Sequence, residues 1–370
     1  MNNSSLRQQM ESYDIKRLLR LVAIIIPLAL IGNIIYLFIS TDASFVRQIG
    51  EFDPRLFALA VALALLPWLG QSAQILIWGR VFHVKVSPPN ALKTVLASDI
   101  GAAITPTMLG GGYAKLGFLV GFGFSPARAT LVTVLGILAD AVFFVLALPA
   151  AVYLTSSWKN PHILGIWHAL ISHWPVAAAA FLILLGILII VNRVRSRLGG
   201  SKKADPRGSG IILNFRKSLK RFKVDLSAAS GFVAGNGKAA FVACVILSGI
   251  GWCGRYSAVA ALAVGLGIPA DPVLFFLLQW VVFTTMTMIP TPGAIGGAEV
   301  SFALIYNGLI PTPAIPVLTA AWRFVTFYVI VGLASLIYVI SRPKFPPRPA
   351  ETEEIPVADK PGIPGAQIFI

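Results

Sequence analysis

The chain reads as an all-α polytopic membrane protein of about six full spans plus two re-entrant or broken helical hairpins, arranged as an inverted repeat. Three observations predict this. Hydrophobic residues make up 56% of the 370 and charged residues only 12%, with a mean hydropathy of +0.80, which leaves too little polar surface for a soluble globule. Apolar stretches near the roughly 20 residues a bilayer crossing requires recur along the chain. Between them lie two stretches interrupted by Pro, Gly and charge in corresponding places of the two halves, the best sequence pointer to a transporter's substrate site.

The elements follow in order. A cytoplasmic segment, 1–17, leads into the first span, 18–40, which is followed by no small-residue cleavage box and is expected to stay as an anchor. Further full-length spans fall at 56–79, 128–154, 175–192, 239–264 and 314–340. The interrupted regions, 91–122 and 272–309, carry Pro and Gly clusters that break helical continuity near their middles. They are read as re-entrant hairpins. The alternative is that the second makes two full crossings, giving eight spans, because arms such as 272–289 and 295–310 can be accommodated by tilt or bilayer thinning. The transmembrane domain thus runs over 18–342, with repeat one at about 18–154 and repeat two at 175–192 plus 239–342. The tail, 343–370, is rich in Pro, lacks periodicity and is expected to be disordered.

Charge sets the orientation. The excess of 30 Lys and Arg over 15 Asp and Glu is concentrated in one loop, where Arg193 to Lys238 holds twelve basic and two acidic residues. Beside spanning helices this is a cytoplasmic loop obeying the positive-inside rule, and nothing interleaves aromatic with basic residues as a nucleic-acid surface does. Arg7, Lys16, Arg17 and Arg20 flank the first span and Arg342, Lys344 and Arg348 the last, so both termini are expected in the cytoplasm of a cytoplasmic-membrane protein. Inside the basic loop Ile212, Phe215, Leu219, Phe222 and Leu226 recur at helical spacing, with Arg216, Lys217, Lys220, Arg221 and Lys223 on the other faces. That is a basic amphipathic helix suited to an anionic lipid surface. Cys244 and Cys253 have no metal-ligand partners in sequence and read as small hydrophobes, while His162, His168 and His173 read as loop residues. Neither a metal nor a cofactor is expected.

The chemistry is expected in the ionisable groups within the spans and hairpins: Asp99, Lys115, Asp140, Arg255, Glu299 and Arg323, three of each sign. Each costs about 2.5–3.5 kcal/mol near the bilayer centre even on insertion scales, so pairing is expected. Sliding one half onto the other by 185 positions places Gly111 and Gly112 on Gly296 and Gly297, Pro126 on Pro311, Glu299 beside Lys115 and Arg323 near Asp140. The predicted pairs are therefore Lys115 with Glu299 and Asp140 with Arg323. Both Lys115 and Glu299 follow glycines at the start of a hairpin's returning helix, where backbone N–H groups favour an anion such as phosphate. Gly110 is expected to serve close packing. Arg255 is a candidate for holding a phosphodiester through two parallel hydrogen bonds.

The run Pro290-Thr291-Pro292-Gly293-x-x-Gly296-x-x-Glu299, with Trp322-Arg323-Phe324 in the next span, resembles the signature of the lysylphosphatidylglycerol synthase transmembrane region, or flippase-like domain, family. The resemblance covers about 15–342. The family's Gly-Gly-Glu-x-x-Lys/Arg pattern is matched at Gly110, Gly111 and Lys115, but Gly112 stands at the acidic position. Its Glu-Arg-x-x-Asp pattern keeps Asp140 but has Gly136 and Ile137. The resemblance implies translocation of an anionic, aminoacylated or glycan-linked lipid through a charge-lined groove, with Pro290, Pro292, Gly293, Gly296 and Gly297 shaping it. It also implies that a separate enzyme makes any modified lipid the protein carries. Two other readings stay open: a membrane-embedded transferase or accessory subunit of envelope modification, and a small-solute or ion transporter.

Overall fold

The computed structural model describes residues 52–105, 109–159, 237–287 and 291–341, with Pro27, Ile31, 163–165, His168, Ser172, 231–233, Gly235 and Ile289 besides. The expected span at 175–192, the amphipathic helix bearing Arg216, Lys217, Lys220, Arg221 and Lys223, and the segments 1–17 and 343–370 lie outside the described residues. So do Pro290 and all but two positions of the span at 18–40.

Eight helices form the described part. They are α1 (Pro54–Val81), α2 (Pro88–Ile104), α3 (Leu109–Gly121), α4 (Pro126–Thr155), α5 (Lys238–Gly265), α6 (Pro272–Thr287), α7 (Gly297–Tyr306) and α8 (Ala314–Ser341). Four of them begin on a polar residue followed by Pro, whose missing N–H would have no helical partner there. Asp53 caps α1 by accepting from Arg55 N at 2.9 Å, Ser125 caps α4, and Asp271 accepts from Val273 N at 2.8 Å to start α6. Ser87 precedes Pro88 of α2 without such a bond.

Among the described residues α1, α4, α5 and α8 are long and apolar enough to cross a membrane. Their outward faces are apolar, with Val145, Leu146, Ile246 and Leu336 all exposed, as lipid-facing surfaces are. The helices α2, α3, α6 and α7 have only 17, 13, 16 and 10 residues. At about 1.5 Å per residue they reach some 15–26 Å, short of the ~30 Å hydrocarbon core.

The order long, short, short, long occurs twice. The helix starts are separated by 184 (54 to 238), 184 (88 to 272), 188 (109 to 297) and 188 (126 to 314) residues. The offset is therefore 184 before the turn of each hairpin and 188 after it, and a single shift of 185 is one off in the first part and three off in the second. Four residues separate α2 from α3 and nine separate α6 from α7, so beyond them Arg323 corresponds to Leu135, and Pro126 corresponds to Ala314 rather than Pro311.

The equivalent helices α1 and α5 make the most extensive contact among the described elements, through a symmetric set of small residues. A Cβ added at Gly70 would lie 2.8 Å from Leu247 O, and one at Gly254 would lie 2.7 Å from Leu63 O. A Cβ at Gly251 would lie 3.2 Å from Pro67 Cα. Numbers rise along one helix as they fall along the other, so the two run antiparallel. Moreover Gly254, Leu247 and Gly251 are the partners, 184 positions on, of Gly70, Leu63 and Pro67. Such close backbone approach is how helices associate where no water drives them together.

Each hairpin closes on itself. A Cβ at Gly101 would lie 2.7 Å from Gly110 O, and one at Gly111 2.8 Å from Ser98 O, while Gly112 faces open space. Gly110 and Gly111 are thus the close-packing glycines that join α2 to α3. Ser98 Oγ donates to Gly111 O at 3.0 Å, and Gly110 N donates to Thr105 Oγ1 at 2.9 Å. In the second hairpin a 3₁₀ turn, Pro292–Ala294, precedes α7, with Gly293 at φ 61° and Gly296 at φ 80°. Such backbone angles suit glycine and strain other residues. The two hairpins meet where α2 packs on this turn.

Candidate functional site

The described ionisable groups of the interior gather into two clusters, one an ion pair within the second half of the chain and the other drawn from both halves. The expectation that Lys115 would meet Glu299 and that Asp140 would meet Arg323 is not what the fold builds.

The first cluster lies in the second half and is closed. Arg323 Nε donates to Glu299 Oε1 at 3.1 Å, and a terminal guanidinium nitrogen donates to Gly293 O at 2.9 Å. Glu299 Oε2 accepts from Gly296 N at 2.8 Å, so the carboxylate caps its own helix from the third position of α7. The guanidinium carbon sits 4.6 Å from the centre of the Phe327 ring, near enough for cation–π attraction. Arg323 is 3% exposed and Glu299 9%. The helix N-terminus expected to receive a phosphate thus already holds the chain's own carboxylate. The physical reason for the changed pairing is local. Gly296 and Glu299 are three residues apart, the spacing of a capping box, and α8 packs directly on α7. Immediately after Arg323 the backbone widens into a π-helix, Phe324–Val329, a feature that often marks functional sites.

The second cluster is open. A cleft with about 310 Å³ of empty space, counting its mouth, lies between α1, α4 and α5. Its polar lining is Gln71 and Gln74 from α1, Asp140 from α4, and Ser248 and Arg255 from α5, with Trp252 beside them. Pro67 and Gly251, also in its wall, are each 13 residues from the start and 14 from the end of their helices, and Asp140 is 14 from the start and 15 from the end of α4. The polar groups therefore sit halfway along three long apolar helices. Gln71 and Arg255 occupy equivalent positions of the two halves, 184 apart.

Within the cleft Ser248 Oγ donates to Asp140 Oδ1 at 2.6 Å, and Gln74 Nε2 donates to Ser248 Oγ at 2.9 Å and to Cys244 O at 3.1 Å. Lys115 reaches the same place from α3: its Nζ lies 3.6 Å from where a Cβ on Gly136 would be, and Gln74 Oε1 lies 3.9 Å from that point. Asp140, Cys244 and Asp99 are its electrostatic neighbours. Gly136, one turn before Asp140, stands where the resembled pattern has a glutamate, and its missing side chain makes the room Lys115 and Gln74 use. Asp99 is held by Trp68 Nε1–H at 2.7 Å. Arg255 stacks toward Phe283, 5.9 Å from ring centre, and its buried Nε–H has no partner among the described residues. On the far side of Trp252 is a dry aromatic cluster that includes Phe144, Tyr256 and Phe276.

Of the predicted site residues, the cleft brings together Asp140 and Arg255 with Lys115 beside it, while Glu299, Arg323, Gly293 and Gly296 form the closed cluster. Gly297 packs on Ile289, Pro292 begins the 3₁₀ turn, and Gly111 and Gly112 play the parts described above. Sequence reasoning did not single out Gln71, Gln74, Ser248 or Trp68. The available signal was an amide pair, Gln71 and Gln74, inside an otherwise apolar span. Among the described residues no three His, Cys, Asp or Glu side chains are grouped to hold a metal.

An all-α bundle with long apolar helices, paired short ones and a polar cleft at mid-helix defines a multi-pass integral membrane protein. Over residues 21–334 the chain matches the family described as lysylphosphatidylglycerol synthase TM region, and it belongs to that family. It is also similar to a UPF0104 membrane protein of Archaeoglobus fulgidus, 23% identical over 305 residues that cover 78% of this chain and 88% of that one.

Proposed function

We propose that the protein moves an anionic lipid headgroup across the cytoplasmic membrane through the cleft, while the acyl chains stay in the bilayer. The observation that carries this reading is a guanidinium, its buried Nε–H without a partner among the described residues, lining one cleft with a carboxylate near the middle of apolar helices. Ionisable groups at that depth are costly and mark substrate pathways. The family's own description, the transmembrane region of a lysylphosphatidylglycerol synthase, points to lipid handling.

The same reading takes the fold as an inverted repeat with two re-entrant hairpins and both termini in the cytoplasm. The antiparallel pairing of equivalent helices α1 and α5 supports the inversion, because two helices related by an axis along the membrane normal would run parallel. The shortness of α2, α3, α6 and α7 supports re-entrance. Arg255 and Lys115 would receive the headgroup's negative charge and Asp140 its hydroxyl or amine groups. Glu299 and Arg323 would hold the second hairpin in shape.

Reconstitution tests this. With a fluorescent phosphatidylglycerol in proteoliposomes, the parent protein is expected to expose inner-leaflet label to an external quencher faster than empty vesicles do. Arg255→Gln, with its thermal midpoint unchanged, is expected to lose that acceleration. A parent protein that moves none of a panel of anionic lipids would refute the reading.

A further inference from the structure

The cleft is charge-balanced before anything enters it. Its lining holds one ionisable group of each sign, Asp140 and Arg255. On the proposed transport reading, on which this inference rests, an anionic headgroup adds one uncompensated negative charge in a low-dielectric interior. Such a charge is costly until something neutralises it.

We infer that each anionic headgroup entering the cleft takes up one proton with it, carried on Asp140. Hydrogen-bond chemistry selects this carboxylate over its neighbour. Asp99 accepts from the indole N–H of Trp68, which can only donate, and it does not line the cleft. Asp140 is bonded to the Ser248 hydroxyl, which can donate or accept. If Asp140 is protonated, its O–H donates to Ser248 Oγ, and the hydroxyl hydrogen of Ser248 turns to Cys244 O, one turn back. Ser248 Oγ keeps the bond it accepts from Gln74, and Cys244 O, which already accepts Gln74 Nε2 and the Ser248 N–H of its own helix, takes the hydroxyl as a third donor that shares the carbonyl. No buried group is stranded by the exchange. Asp140 also lines the cleft, so its proton can come from water at the mouth and return to water when the headgroup leaves on the other side. No bond other than O–H is made or broken.

The surroundings of Asp140 add few competing groups. Among the described residues, α1 presents only the amides Gln71 and Gln74, α3 presents Lys115, α2 lies behind with Asp99, and α6 has no ionisable side chain. Helix α5 supplies Cys244, Arg255 and the phenol of Tyr256, which lies within electrostatic reach of Asp140. The guanidinium stays charged at all relevant pH values and holds the anion, which among the ionisable groups of the lining leaves the carboxylate to take the proton.

Titration calorimetry of the purified full chain with dioctanoyl phosphatidylglycerol, run near neutral pH in two buffers of different ionisation enthalpy, counts protons per bound lipid directly. The parent is expected to take up close to one. Asp140→Asn is expected to bring the count near zero, whatever its affinity, and Asp99→Asn to leave it near one. A parent that binds and moves the lipid without proton uptake overturns this inference alone, as does uptake that survives Asp140→Asn or vanishes in Asp99→Asn. A parent that neither binds nor moves the lipid removes the transport reading, and this inference falls with it.

Discussion

Replacing Arg323 with Met leaves Glu299 buried, charged and without its partner. The loss is specific: a 3.1 Å bond to Glu299, a 2.9 Å bond to Gly293 O that fixes the turn before α7, and the contact with the Phe327 ring. Breaking one side of a buried ion pair costs about 3–5 kcal/mol, a large part of the roughly 5–15 kcal/mol that holds a typical protein folded. At about 2–4 °C per kcal/mol for larger domains, the unfolding midpoint should fall by about 6–20 °C. The double variant Arg323→Met with Glu299→Gln removes both charges together and should recover more than half of that loss, since well-packed neutral residues often replace a buried pair at little cost. Thermal unfolding in detergent, followed by tryptophan emission, reads both numbers. A single variant as stable as the parent, or a double variant whose loss equals the sum of the two singles, would refute the claim that this pair is a mutually dependent frame.

Two further outcomes follow from the packing. Gly254→Leu drives a side chain into Leu63 O, 2.7 Å from the position of its Cβ, and should cost about 1–3 kcal/mol or more by overpacking. Size-exclusion profiles and midpoints should worsen for Gly70→Leu as well, its symmetric counterpart, but not for Gly112→Leu, where a Cβ meets nothing within 4 Å. Trp68→Phe removes the N–H that holds Asp99 and leaves that carboxylate one donor short, a loss of about 1–3 kcal/mol in the same unfolding assay.

Much of the bundle was legible from the chain because hydrophobic length is a strong signal. The spans read at 56–79, 128–154, 239–264 and 314–340 lie within α1, α4, α5 and α8, with ends displaced by two residues at most. The Asp-Pro and Ser-Pro pairs that start α1, α4 and α6 explain those boundaries. The repeat was legible too, but a fixed shift of 185 missed the longer second turn. The error mattered: it put Arg323 opposite Leu138 and suggested pairs across the halves. Capping geometry decides otherwise, since a carboxylate three residues after Gly296 is committed to its own helix end before any distant cation is considered. The cleft was only partly legible. Lys115, Asp140 and Arg255 stand out as charges in apolar segments, whereas Gln71, Gln74 and Ser248 are neutral, and only the antiparallel contact of α1 with α5 shows that they face one another.

The central claim is that a lipid headgroup occupies the space between α1, α4 and α5. A phosphatidylglycerol with a photoreactive headgroup, carried with the protein in nanodiscs, tests it by mapping the cross-linked peptides. The account predicts attachment within Gln71–Gln74 and Leu247–Arg255, suppressed by excess unlabelled anionic lipid and by Arg255→Gln. Attachment confined to the outward apolar faces around Val145, Leu146 and Ile246, unaffected by either treatment, would contradict it.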